Sequence, residues 1–157
     1  MDKWLTRWQE LKGKHPKALL YTISTLLPMT IMLVVWFFMG SYPFGNKSLM
    51  AVDFGQQYIS FFGLLKNAVL TGNLSSLTYS FTKSLGGDMI GVLGYYLMSP
   101  FNIFYIIIPF KHYGLAVFLT IWLRYGAIGL SFSHFLIKRY KGAESRMWLV
   151  PLFATAY

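Results

Sequence analysis

An all-α integral membrane protein is the fold class this sequence predicts, and three observations carry that prediction. The chain is 55% hydrophobic and only 12% charged over 157 residues, against about 25% charged in an ordinary soluble domain. Its apolar residues gather into long uninterrupted runs, the first over residues 18–40. Its charge is lopsided, with 14 Lys and Arg against 5 Asp and Glu for a net +9. A soluble fold of this length has too little interior for so much apolar surface, so a water-soluble enzyme is excluded. Disorder is excluded by 14 Phe, 11 Tyr and 5 Trp, the reverse of its composition. The lack of cysteine removes disulfides, Cys-bound metals and thiol nucleophiles. Excess positive charge suits nucleic acid or an anionic membrane surface. The apolar content selects the membrane, and no nucleic-acid partner is expected.

Residues 1–17 carry Lys3, Arg7, Lys12, Lys14 and Lys17 against Asp2 and Glu10. Trp4, Leu5, Trp8 and Leu11 fall on one helical face, which predicts a short basic helix lying at the membrane interface. Its charge places the N-terminus in the cytoplasm. Residues 18–40 hold no charge and reach about 34 Å as a helix, enough for a hydrocarbon core of about 30 Å. Pro28 falls inside this run, as membrane helices tolerate. A cleaved signal peptide is the competing reading, but Trp36-Phe37-Phe38-Met39 offers no small-residue cleavage site.

A second span is predicted over residues 113–137, interrupted only by Arg124 and His134 and followed by a basic cytoplasmic loop at 138–146. Residues 147–157 begin a third apolar run too short to cross, so the chain is expected to be the N-terminal part of a longer polytopic protein. The uncharged stretch 89–110 is long enough to span. If it spans, however, the 138–146 cluster falls outside, against the positive-inside rule. Gly91, Gly94, Pro100 and Pro109 also cut it into pieces too short to cross. It therefore reads as helices lying on the outer membrane surface, and residues 41–112 as one large extracytoplasmic loop.

Within that loop, residues 52–70 have helical periodicity. Asp53, Gln56, Gln57, Ser60 and Asn67 share one face, while Phe54, Phe61, Phe62, Leu65 and Val69 take much of the rest. Asp53 has two compatible readings. Asp53-x-x-Gln56 before an apolar run resembles a capping box, and the same face aims a carboxylate and two amides at one compartment. Asp88, after Gly86-Gly87, reads as a turn residue, an N-cap or a second functional carboxylate. These two are the only acidic residues of the outer loop, so acid–base chemistry or carboxylate metal binding there falls to them. Lys66 and Lys111 read as solvated surface lysines, with attraction of phosphate headgroups as the alternative.

Several blocks resemble the bacterial YfhO family. They are Tyr42-Pro43-Phe44-Gly45-Asn46-Lys47-Ser48-Leu49, Val52-Asp53-Phe54-Gly55-Gln56-Gln57-Tyr58, the stretch from Ser80 to Gly91, and Tyr95-Tyr96-Leu97-Met98-Ser99-Pro100-Phe101-Asn102. Members are longer multi-pass proteins similar to GT-C glycosyltransferases. The resemblance implies the N-terminal part of a GT-C-like bundle, with a large first outer loop carrying juxtamembrane helices. It implies transfer of a sugar from a polyprenyl-phosphate-linked donor to a cell-surface polymer such as lipoteichoic acid, at the cytoplasmic membrane of a Gram-positive bacterium. In that setting Asp53 takes the place of the catalytic base, or of a metal ligand if a divalent ion takes part. Gln56, Gln57, Asp88 and Arg124 are the substrate-binding candidates. The resemblance also implies that Asn can stand at position 88, which weakens a catalytic role there.

Arg124 sits near the middle of its span, where an arginine costs about 2.5–3.5 kcal/mol on insertion scales. It reads equally as counter-charge to a lipid phosphate or as partner to a carboxylate elsewhere in the protein. Two other functional classes fit the composition: a transporter or flippase of lipid-linked sugars, and a non-catalytic membrane scaffold.

Overall fold

The structure, a computed structural model, describes residues 16–81, 86–140 and 149–156. The basic interfacial helix expected before residue 17 and most of the basic loop at 138–146 lie outside the described residues. The fold is helical, with two helices long and apolar enough to cross a membrane, over Lys17–Met39 and Phe110–Arg139. The described chain divides into a helix-pair unit, residues 1–35 with 122–157, and a loop unit, Trp36–Ile121.

In the helix-pair unit, α1 (Pro16–Met39) and α5 (Tyr113–Arg139) pack through small residues. Pro28 has no N–H to donate, so the carbonyl of Ser24 loses its helical partner. Gly129 lies against that carbonyl, and a Cβ there would strike it and the Pro28 ring. Gly126 likewise gives room to Met29 and Thr25. The Trp122 Nε1–H donates to the Met29 carbonyl at 3.1 Å. Such close backbone approach is how helices associate where lipid removes the hydrophobic drive. Leu26, Ile31 and Val34 remain exposed on α1, an apolar surface suited to lipid. A last short helix, α6 (Val150–Ala156), belongs to the same unit.

The loop unit begins where α1 stops. Gly40 takes φ +65°, Ser41 N–H reaches back to the Trp36 carbonyl at 2.9 Å and Gly40 N–H to Phe37 at 3.1 Å. This pair of bonds is a Schellman stop, which glycine favours. Residues 40–47 then fold onto themselves, with Lys47 N–H on the Gly40 carbonyl at 3.1 Å and Tyr42 N–H on the Lys47 carbonyl at 2.9 Å. Gly45 is held against the Gly40 carbonyl so tightly that no Cβ fits.

A π-helical turn, Phe54–Tyr58, leads into α2 (Ile59–Thr71), which ends at left-handed Gly72. Helix α2 buries Phe62, Leu65, Lys66 and Ala68. Val69, expected on its apolar face, is 43% exposed, and Ala68 one position earlier fills the interior. A small antiparallel hairpin follows, β1 (Tyr79–Ser80) with β2 (Gly87–Asp88), registering Tyr79 with Asp88.

Residues 89–110 form a bent pair. Short helix α3 (Ile90–Val92) continues as a second π turn, Leu93–Leu97. After Met98 and Ser99, a 3-10 turn from Pro100 leads into α4 (Ile103–Ile107). The two arms meet at 90°. Proline explains the break, because it forces the residue before it out of the helical region, and Ser99 is extended at ψ 132°. Asn102, 1% exposed, donates its side-chain N–H to the Tyr96 carbonyl at 2.8 Å and so joins one arm to the other. Thr120 on α5 donates to the Phe101 carbonyl at 3.3 Å.

The core of the loop unit centres on Tyr105, wholly buried, whose ring stacks on Phe62 at 3.9 Å and 2°. Tyr113 OH donates to the Tyr105 carbonyl at 3.0 Å. Replacing Asn102 by Ala strands the half-buried Tyr96 carbonyl at a cost of about 1–3 kcal/mol. The expected result is a lower thermal-unfolding midpoint in detergent. An unchanged midpoint would show that the bend does not rely on this amide.

Candidate functional site

The candidate site is built at the start of the helix after the folded loop. Val52 adopts φ +50° although it is β-branched, a left-handed conformation that such residues rarely take because the branched Cβ crowds the backbone. The chain therefore turns at Val52. Phe54 N–H bonds the Ala51 carbonyl at 3.2 Å and Gln56 N–H the Val52 carbonyl at 3.1 Å. Asp53 is already helical at φ −57° and ψ −32°, and its carboxylate makes no capping bond. This corrects the capping-box reading. An N-cap needs extended backbone, and the turn falls one residue too early to provide it. Asp53 is left exposed with Gln56 and Gln57 on the solvent-facing side of the π turn, and Ser60 and Asn67 continue that exposed face along α2.

Asp88 is turned to its own backbone. Its Oδ1 accepts the Ile90 N–H at 2.9 Å, opening the first arm of the bent pair. Of the three readings of Asp88, the backbone-capping one accounts for this contact. Arg124 lies half-buried on α5 in the helix-pair unit. The structure thus groups Asp53, Gln56 and Gln57 on one turn, with Asp88 at the start of the bent pair and Arg124 on α5.

Two features escaped sequence reasoning. The first is a tyrosine contact between the two π turns: the Tyr58 and Tyr96 rings lie 4.6 Å apart, with Phe61 5.5 Å from Tyr96. The neighbouring Tyr58 hydroxyl, then burial, then the Asp53 charge hold the Tyr96 phenol above its ordinary value of 10.0. It stays protonated, a hydrogen-bond donor in the neighbourhood of the Asp53 charge. Both tyrosines stand in blocks singled out above, and that was the available signal.

The second is Lys66, which is not a solvated surface lysine. It is only 8% exposed. Its Nζ donates to the Ile108 carbonyl at 2.6 Å and lies 5.2 Å from the centre of the Phe110 ring and 5.8 Å from that of Tyr113. A carbonyl and two ring faces replace the water that a buried ammonium loses. Lys111 is exposed. Beside α2 lies a hollow of about 360 Å³ lined by Ser60, Phe61, Gly63, Leu64, Asn67, Met89 and Phe110.

Among the described residues no three His, Cys, Asp or Glu side chains gather at one point. The chemistry available here is that of an exposed carboxylate flanked by amides and phenols: proton acceptance and hydrogen bonding to hydroxyl groups.

Two membrane-competent helices separated by a folded, mostly helical loop unit define a multi-pass helical membrane protein. Residues 24–157 match the family described as bacterial membrane protein YfhO, and the chain belongs to that family. No curated protein and no solved structure matches it.

The Lys66 contacts lead to a direct test. Lys66→Met keeps the apolar stem but leaves the Ile108 carbonyl without its charged donor, a loss of about 1–3 kcal/mol. The unfolding midpoint should drop in Lys66→Met and hold in Lys111→Met, whose effect at a surface position is within about 0.5 kcal/mol. Equal midpoints would return Lys66 to the surface.

Proposed function

We propose that this protein is a membrane glycosyltransferase. It transfers a sugar from a polyprenyl-phosphate-linked donor to a cell-surface polymer, such as lipoteichoic acid, on the outer face of the bacterial cytoplasmic membrane. One observation carries the reading: the carboxylate of Asp53 is exposed and free of any capping duty, directly after a strained Val52. Strain of this kind concentrates at functional sites. Membership of a bacterial membrane family agrees with it, as does a folded unit that falls between two apolar helices in the sequence.

In this reading the N-terminus is cytoplasmic and residues 41–112 face outward. The 90° bend of the 90–107 pair supports helices resting at the outer surface, because neither arm alone has the length to cross. Asp53 accepts the proton of the acceptor hydroxyl. The freed oxygen forms a bond to the anomeric carbon of the sugar, the bond from that carbon to the phosphate oxygen breaks, and polyprenyl phosphate leaves with the electron pair. Gln56 and Gln57 orient hydroxyl groups by hydrogen bonding.

Asp53→Asn tests the assignment, because Asn caps helices about as well as Asp but cannot act as a base. Sugar transfer by the full-length protein in membranes should fall about 10²–10⁴-fold, with protein abundance and thermal stability unchanged, whereas residues 1–157 alone should show no transfer. Asp88→Asn should retain most transfer, since an amide oxygen also accepts the Ile90 N–H. Near-normal transfer by Asp53→Asn would remove Asp53 from the chemistry.

A further inference from the structure

The two π turns are the least ordinary feature of the loop unit. Hydrogen bonds from residue i+5 back to residue i define them: Ile59 N–H reaches the Phe54 carbonyl, and Met98 N–H the Leu93 carbonyl at 3.0 Å. Under about 1% of residues in globular proteins are π-helical, and isolated π turns are frequent at functional sites. Here there are two, Phe54–Tyr58 and Leu93–Leu97, and they meet through their tyrosines.

The geometry of that meeting is specific. Tyr58 and Tyr96 rings are 4.6 Å apart at 42°, and Tyr95 stands 4.6 Å from Tyr96 at 72°. Phe54 braces Tyr58 at 5.6 Å and Phe61 braces Tyr96 at 5.5 Å. Tyr58 and Tyr96 are half-buried, whereas Tyr95 is 81% exposed. The Asp53 carboxylate and the Gln56 and Gln57 amides are exposed on the turn that carries Tyr58.

We propose that the exposed ring of Tyr95, braced by Tyr96 and Tyr58, is a shelf for one face of the pyranose ring that is transferred, with Asp53, Gln56 and Gln57 bonding its hydroxyl groups. The inference rests on the glycosyltransferase reading and names the sugar subsite within it. A pyranose has a face of C–H bonds that packs on an aromatic ring and an edge of hydroxyls that needs donors and acceptors. Phenols, amides and a carboxylate beside aromatic rings supply both. An acyl chain would desolvate those polar groups and return no hydrogen bond. A quaternary cation wants rings converging on one point. Here Tyr58 and Tyr96 pack on one another at 42°, and the exposed ring of Tyr95 stands beside them as an open shelf, not a cage.

The test is saturation-transfer NMR on the whole protein in detergent, with methyl glucoside, methyl galactoside and methyl N-acetylglucosaminide as probes and tetramethylammonium as the competing one. Ring C–H protons of at least one methyl hexoside should receive saturation. The signal should drop about fivefold in Tyr95→Ala, the loss expected when one aromatic contact is removed, and persist in Tyr95→Trp. The wild-type protein separates sugar binding from sugar transfer: an inactive wild-type protein that still binds hexosides leaves the shelf standing and removes the transferase reading. In parallel, Tyr95→Cys introduced into this cysteine-free chain should react with a water-soluble maleimide in intact cells. No saturation of any hexoside, preference for tetramethylammonium, or a Tyr95→Cys shielded by lipid would each overturn the shelf.

Discussion

The face-to-face stack of Phe62 on Tyr105 is the contact on which the loop unit depends. The residues between the two helices able to cross a membrane build an interior of their own. Tyr105 anchors it by being wholly buried, with Phe62 at 3.9 Å on its ring face and the Tyr113 hydroxyl on its carbonyl. Those three residues come from α2, from the second arm of the bent pair and from the start of α5. Lys66, one turn along from Phe62, draws in the Ile108 carbonyl next door. A single buried ring thus ties the amphipathic helix to the bend and to the spanning helix. The exposed face of α2 is fixed by what its other face buries.

That constraint gives the candidate site its character. Helix α2 cannot rotate without unstacking Phe62, so Asp53, Gln56 and Gln57 are held outward at its start. Val52 absorbs the mismatch between the folded loop before it and the helix after it, at the expense of a left-handed backbone. The polar groups are then presented by rigid elements, which is what positioning a reacting hydroxyl requires. The proposed transferase chemistry uses only what these side chains offer, a proton acceptor and hydrogen-bonding neighbours.

Long features were legible in the sequence because they are written as composition. The uncharged run at 18–40 and the nearly uncharged run at 113–137 correspond to the two helices able to cross a membrane. Pro100 marks the bend because its effect on Ser99 is steric and local. The polar face of α2 was readable from a 3.6-residue period. The rest depended on contacts distant in sequence or on backbone choices without a residue signature. Lys66 looks like any surface lysine until Ile108, Phe110 and Tyr113 are brought to it. A π turn shifts hydrogen bonds by one residue and leaves the apolar pattern almost unchanged, so neither was visible. The capping reading of Asp53 rests on the Asp53-x-x-Gln56 pattern, and a left-handed valine, which no pattern announces, starts the turn one residue earlier.

The central claim is that the protein forms a glycosidic bond, and reconstitution measures it most directly. Purified protein in liposomes is given a polyprenyl-phosphate-linked hexose with label in the sugar, together with lipoteichoic acid. The account predicts labelled polymer and polyprenyl phosphate in equal amounts, at a rate that depends on the protein. Labelled donor that crosses to the opposite leaflet intact, with no label in the polymer, would contradict it and make the protein a carrier of lipid-linked sugar.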